Sequence, residues 1–179
     1  MRLGIIGIQG SGKGTQAKLI AKKYKLKRVS VGDLLRKEVG KKSRIGKFLM
    51  KYIRKGFLAP NKLVDKLVLK NTPKNNFIID GFPRDEKQLK TADKINLDKV
   101  ILLTLPKKEV IKRIKKRKRI EHRKDDNDKS LEKRLEIFHK HSPLIVKHFK
   151  DKIIKVDGNQ TIKQVFYDIE KALKNNSKK

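Results

Sequence analysis

Apolar residues in this chain fall into two alternating patterns. Short β-type runs, most of them nearly continuously apolar, lie at Leu3–Ile8 (LGIIGI), Arg28–Val31 (RVSV), Phe77–Asp80 (FIID), Val100–Leu105 (VILLTL) and Ile153–Val156 (IIKV). Runs of that length suit parallel strands covered on both faces. Between them apolar positions recur every three or four residues. Gly14–Tyr24 carries Ala17, Ile20, Ala21 and Tyr24, and Glu109–Arg117 carries Val110, Ile111 and Ile114. Ser130–Phe149 carries Leu131, Leu135, Phe138, Ile145 and Phe149, and Ile162–Leu173 carries Val165, Phe166, Ile169 and Leu173. These spacings predict helices. Strands alternating with helices imply right-handed crossovers. The expected fold class is α/β: a doubly wound, five-stranded parallel sheet with helices on both faces. Ligands on such a sheet bind beyond the carboxyl ends of the strands.

Two segments break the alternation. Ser30 to Leu69 reads as long and helical with no strand inside it. Arg117 to Asp126 (RKRIEHRKDD) is polar and unpatterned. Both are expected to be insertions that reach over a site. The chain of 179 residues shows no internal repeat and no long linker, so one domain is expected, with a fraying tail at Asn175–Lys179.

Composition narrows the function classes. No apolar run approaches the ~20 residues needed to span a bilayer, and no secretory signal is expected because a Gly-rich turn follows the first apolar run. With no Cys there is no disulfide framework and no Cys-based zinc site. Lys and Arg number 50 against 19 Asp and Glu, a formal charge of +31. Such a balance favours polyanion partners. The Lys residues are nonetheless spread along the whole chain, and aromatics, at 6%, do not interleave with basic stretches as a base-stacking platform would require. The excess Lys reads as a solvated surface, with non-specific adhesion to nucleic acid at low salt.

The candidate chemistry begins at Gly7-Ile-Gln-Gly-Ser-Gly-Lys13-Gly-Thr15, which fits G-x-x-x-x-G-K. Glycines let backbone N–H groups turn inward around phosphate oxygens, the following helix aims its positive end at them, and the Lys ammonium reaches the outer oxygens. The bare pattern would arise here by chance roughly 0.14 times. Its position between an apolar run and an amphipathic helix is what the mechanism demands. The usual hydroxyl after the Lys is displaced: Gly14 follows Lys13 and the hydroxyl comes at Thr15. Asp80 ends an apolar run predicted to lie near this loop, where a carboxylate can orient a hydrated Mg²⁺. The four His (His122, His139, His141, His148) lack metal-ligand spacing, and Ser11 and Ser30 lack a His/Asp partner pattern.

Gly7–Gln16 (GIQGSGKGTQ) resembles the phosphate loop of adenylate kinases, within the nucleoside monophosphate kinases. The resemblance continues in order along the chain. It takes in Ser30–Arg36 (SVGDLLR), Lys55–Leu58 (KGFL), Asp80–Arg84 (DGFPR) with Gln88, Arg117 with Arg123–Asp126 and Arg134, and Val156-Asp-Gly158. It implies that Gly10, Ser11, Gly12, Lys13, Gly14 and Thr15 hold the ATP phosphates, with Arg113 and Gln160 near the ATP base and Arg117 clamping its phosphates. It implies that Arg36 and Arg84 grip the phosphate of AMP, and that Val31, Phe57, Leu58, Ala59, Gly81, Phe82, Pro83 and Gln88 meet the rest of that nucleotide. Arg123 and Arg134 would bridge the phosphoryl groups at transfer. Asp33 and Asp80 would hold Mg²⁺ through water, with Thr15 a further candidate ligand. Lys13, Arg84, Arg117, Arg123 and Arg134 form the implied catalytic set. The five phosphate-gripping positions Arg36, Arg84, Arg117, Arg123 and Arg134 are all Arg in a chain where Arg is 11 of 50 basic residues. Random filling would give that about 5 times in 10,000, and a planar bidentate fork is not replaceable by Lys without loss.

The resemblance further implies a core (1–29, 60–116, 127–179), a monophosphate-binding insertion (30–59) and a lid (117–126). Five residues between Arg117 and Arg123 match the short-lid branch, which carries no zinc. The implied activity is transfer of the γ-phosphoryl group of ATP to AMP by a cytoplasmic monomer, with no specific nucleic-acid or membrane partner. Val31 stands where adenylate kinases usually have a Thr that contacts adenine, as pyrimidine kinases have a small apolar residue. Gln88 favours adenine. A uridylate/cytidylate or broad-specificity kinase is therefore the alternative within the class, and a basic nucleic-acid-binding ATPase the alternative outside it.

Overall fold

The computed structural model describes residues 1–121 and 128–175. Its sheet consists of β1 (Arg2–Gly7), β2 (Lys27–Ser30), β3 (Phe77–Asp80), β4 (Lys99–Thr104) and β5 (Ile153–Asp157). The strands are parallel and lie in the order β2-β3-β1-β4-β5. Chain order runs from β1 outward to β2 and back to β3, then crosses to β4 and β5. The reversal of direction flanks β1, and a crevice opens there at the carboxyl ends of the strands.

Alternation along each strand sends side chains to opposite faces. Leu3, Ile5, Ile78, Ile101 and Leu103 pack with Ala17 and Ile20 of α1 (Lys13–Lys23) and with Val165, Ile169 and Leu173 of α8 (Ile162–Asn175). Ile6, Val29, Phe77, Ile79, Val100 and Leu102 face the opposite layer. That layer comprises α2 (Val31–Gly40), α3 (Arg44–Lys55), α4 (Asn61–Asn71), α5 (Leu89–Ile95) and the C-terminal half of α7 (Asp128–His148). A third apolar cluster joins Ile8 to Val110 and Ile114 of α6 (Lys107–Glu121) and to Leu131 and Leu135 of α7. It anchors the loop after β1 from outside the sheet.

Several predicted bounds shift. Val31 opens α2 rather than ending β2, because Ser30 caps that helix: its hydroxyl accepts from the Asp33 N–H at 3.3 Å. The segment from 30 to 69 contains three helices. Capping by Ser43, whose hydroxyl accepts from Gly46 N at 3.1 Å, starts the second, and Gly56 at φ +79° stops it. Helix α6 runs on through Glu121, so residues 117–121, expected to lie in an unpatterned loop, are helical. Residues 122–126 lie outside the described residues. Helix α5 and a 3-10 turn at Glu86–Gln88 were not foreseen, since seven residues are too few to show a helical period. Among the described residues, no helix is long and apolar enough to cross a membrane.

Candidate active site

The loop Ile8–Gly12 between β1 and α1 forms the floor of the crevice. Gly7, Gly10 and Gly12 all have positive φ (+147°, +82° and +93°). At Gly7 a Cβ would sit 2.4 Å from the Leu103 carbonyl oxygen, so glycine is required by space as well as by backbone angle. Lys13, the first residue of α1, folds back over the loop and donates to the Ile8 carbonyl at 2.7 Å. Its side chain is only half-buried by surface, but the cleft walls crowd it. Desolvation first, then the nearby Arg84 guanidinium, pushes its pKa down to about 7; Asp80 opposes the shift and Arg117 adds to it.

Above this floor lies a cleft of about 820 Å³. It brings together Gly10 to Thr15 from the loop and α1, and Val31, Asp33 and Arg36 from α2. Phe57, Leu58 and Ala59 after α3 line it, as do Asp80, Gly81, Pro83, Arg84 and Gln88 after β3. Arg113 and Arg117 of α6, Arg134 of α7 and Gln160 before α8 complete the expected set. Two expected residues are missing from it. The Phe82 side chain is wholly buried in the core cluster and does not line the cleft, which leaves only its backbone to meet a nucleotide. Arg123 lies outside the described residues.

The loop after β3 is built around Arg84. Gly81 has φ +78°, and a Cβ there would lie 2.7 Å from Arg84 Nη2, so glycine leaves the guanidinium its place. Arg84 Nε donates to the Gly81 carbonyl (2.9 Å), while the Arg84 N–H donates to Gln88 Oε1 (2.9 Å). Gln88 Nε2 donates onward to Asn61 Oδ1 (2.7 Å), and Asn61 Nδ2 to Asp85 Oδ2 (3.1 Å). Gln88 is 2% exposed. Its amide thus fixes the loop in this state, beyond the base-reading role the sequence resemblance implies. Arg134 Nη2 donates to the Ile53 carbonyl at 3.2 Å, tying α7 to the end of α3. Gln160 Nε2 donates to Asp157 O and Asp168 Oδ2, and Arg113 pairs with Glu109. Val31 brings no hydroxyl to the cleft wall.

Arg28 on β2 was not singled out from the sequence. Its Nη1 donates to Asp33 Oδ2 and its Nη2 to Asp80 Oδ2, each at 3.0 Å. Arg36 pairs with the other oxygen of Asp33. Burial is the largest single influence on the Asp33 carboxyl and raises its pKa, but Arg36, the Ser30 hydroxyl and Arg28 together outweigh it and hold the group below the usual range. Gly14 sits against the pair: a Cβ there would touch Asp80 Oδ2 at 3.4 Å and Arg28 Nη2 at 3.7 Å. Two carboxylates and the exposed Thr15 hydroxyl at the mouth of a phosphate loop are oxygen donors that fit a hard cation. The guanidinium between the carboxylates fits a cation that keeps its water.

Among the described residues, six Arg and three Lys line the cleft, whereas the chain carries 11 Arg and 39 Lys. The surface uses lysine; the cleft uses the planar fork that grips phosphate oxygens in pairs. Comparison with known proteins agrees. The chain matches the sequence model described as adenylate kinase over residues 5–154. It is 34% identical to an adenylate kinase of Azobacteroides pseudotrichonymphae, covering 98% of both chains. It is 34% identical to one of Buchnera aphidicola, covering 99% of both, and 33% to one of Parabacteroides distasonis, covering 96% of both. Similarity that starts in β1, runs into β5 and spans nearly the whole of each relative leaves no part of the cleft to a separate module: the chain belongs to the adenylate kinase family.

Proposed function

We propose that this cleft transfers the γ-phosphoryl group of ATP to AMP, giving two ADP, and that the same residues run the reverse reaction. The enrichment of Arg over Lys in the cleft carries the reading. Phosphoryl transfer asks little acid–base chemistry of a protein; it asks for two substrates in line and positive charge on the transferred oxygens. Backbone N–H groups of Gly10–Thr15 and the Lys13 ammonium take the ATP phosphates, with Arg113 and Gln160 toward its base. Arg117 closes on those phosphates from α6. Arg36 and Arg84 take the phosphate of AMP. Val31, Phe57–Ala59, Gly81, Pro83 and Gln88 form the wall for its sugar and base. Arg123 and Arg134 neutralise the group in flight.

Two side chains must leave their present partners. Arg36 leaves Asp33 for the monophosphate, and Lys13 leaves the Ile8 carbonyl for ATP. Asp33 and Asp80 would hold Mg²⁺ through its water, with Thr15 nearby, and the ion would supply charge neutralisation at the phosphates. Segments 30–59 and 117–126 close over the substrates and exclude water, which would otherwise take the phosphoryl group. The chain has no Cys to suffer or require oxidation, and we place it in the cytoplasm as a monomer.

A coupled assay of diphosphate formation from ATP and Mg²⁺ with AMP, UMP, CMP and GMP tests this, with Lys13→Ala as control. Preference for AMP is expected, with appreciable turnover of other monophosphates. One lost hydrogen bond at Val31 costs about 1 kcal/mol of selectivity. Equal or better use of UMP or CMP would move the assignment to a pyrimidine or broad-specificity kinase. No transfer to any of them would refute it.

A further inference from the structure

Arg28 breaks the pattern of its strand. It occupies a half-buried position in β2, between the exposed Lys27 and the buried Val29, where a charge needs partners. Its guanidinium spans two carboxylates on different elements. Asp33 belongs to the first turn of α2, and Asp80, with 10% of its side chain exposed, closes β3. We propose that Arg28 is a positioning residue for the metal–nucleotide half of the site. It holds Asp33 and Asp80 in place and neutralises them, so that a divalent cation engages them only when nucleotide phosphates bring it.

The inference rests on the reading of Asp33 and Asp80 as the carboxylates that meet hydrated Mg²⁺. Without a positive group between them, two carboxylates close enough to share one guanidinium would form a hard-cation site of their own. Arg28 occupies that position with a covalently tethered charge. Arg36 takes the second oxygen of Asp33, and Lys13 stands near Asp80. The free protein therefore presents no net negative charge to a lone ion at this place. Bound ATP reverses the balance with its own phosphates, and AMP draws Arg36 away from Asp33. Throughout, the two Nη bonds fix the carboxylate rotamers. A Lys could supply the charge but not the fork: one ammonium on a flexible stem does not hold two carboxylates at set angles. That a chain with 39 Lys and 11 Arg spends Arg here follows the same division as the rest of the cleft.

Manganese binding to the full chain tests the proposal, read from the electron paramagnetic resonance signal of free Mn²⁺, first alone and then with ATP. Arg28→Gln should bind Mn²⁺ alone about ten-fold more tightly than the unaltered chain, because one positive charge beside a divalent site is gone. Arg28→Lys should leave Mn²⁺ alone within about two-fold, yet weaken Mn²⁺-ATP binding about ten-fold, because charge stays and position is lost. Equal affinity of the unaltered chain and Arg28→Gln for Mn²⁺ alone overturns the proposal. So does undiminished Mn²⁺-ATP binding by Arg28→Lys, which decides the matter if Arg28→Gln fails to fold. Asp80→Asn separates the two layers. If it binds Mn²⁺-ATP as well as the unaltered chain, the carboxylate reading itself fails, whatever Arg28 does.

Discussion

Lys13 offers a quantitative test of how the cleft prepares for its substrate. In the free protein its pKa is pushed down to about 7, from 10.5 in an ordinary environment, chiefly by burial and by Arg84. At pH 8 the free ammonium is then about 10% populated. Contact with a polyanionic phosphate chain favours the charged form and returns the pKa toward its ordinary value or above. Binding ATP at pH 8 should therefore take up about 0.9 proton, and at pH 7 about 0.5 from this group. At pH 8 the nucleotide's own phosphates are fully ionised and contribute nothing. Isothermal titration in two buffers of different ionisation enthalpy measures the uptake directly. Lys13→Arg carries a charge that does not titrate, so whatever binding it retains should take up none of this proton. No net uptake at pH 8, or the same uptake in Lys13→Arg, would refute the argument that the empty cleft holds Lys13 largely neutral.

The same shift governs stability. Between pH 7 and 10.5 the unfolded chain binds the Lys13 proton and the folded chain does not, so this group's contribution to stability improves as pH rises through that window. Its penalty is complete below pH 7. Lys13→Met should accordingly raise Tm most below pH 7, with the gain shrinking toward pH 10.5; a gain independent of pH contradicts it. Gln88→Ala strips partners from the Arg84 N–H and from Asn61, and should cost about 1–3 kcal/mol in urea titration while raising KM for the monophosphate. A loss confined to a few tenths of a kcal/mol would show that the amide network is dispensable. Gly56→Ala places a Cβ 2.4 Å from the Ser130 carbonyl oxygen at a φ of +79°. The backbone of Phe57–Ala59 must then move off α7. KM for the monophosphate should rise well beyond KM for ATP, and equal changes in both would refute the placement of that wall.

Most of the core strands were legible because they are dense apolar runs, and a parallel strand covered on both faces needs little else to declare itself; β2 (KRVS) is not such a run, and its bounds shifted. FIID was read to the residue as Phe77–Asp80. The phosphate loop was legible because its chemistry needs glycines at fixed spacing. Helix bounds were less so. Val31 looks like a strand residue until Ser30 is seen capping α2, and α5 is too short to show a period.

Sequence alone determined the strand–helix alternation, the glycines of the loop and five of the six Arg that line the cleft, Arg28 being the exception. These are local requirements, set by burial period, backbone freedom and the geometry of a guanidinium. Tertiary structure decided which groups share a charge. Arg28 and Asp80 stand 52 residues apart, and only the parallel pairing of Ser30 with Asp80 puts that guanidinium between two carboxylates. It also decided that Phe82, inside the most distinctive motif, belongs to the core, and that Lys13 is crowded enough to lose its proton near neutral pH. Coulomb energy and desolvation depend on distance and surroundings in space, and neither is written in the order of residues along a chain.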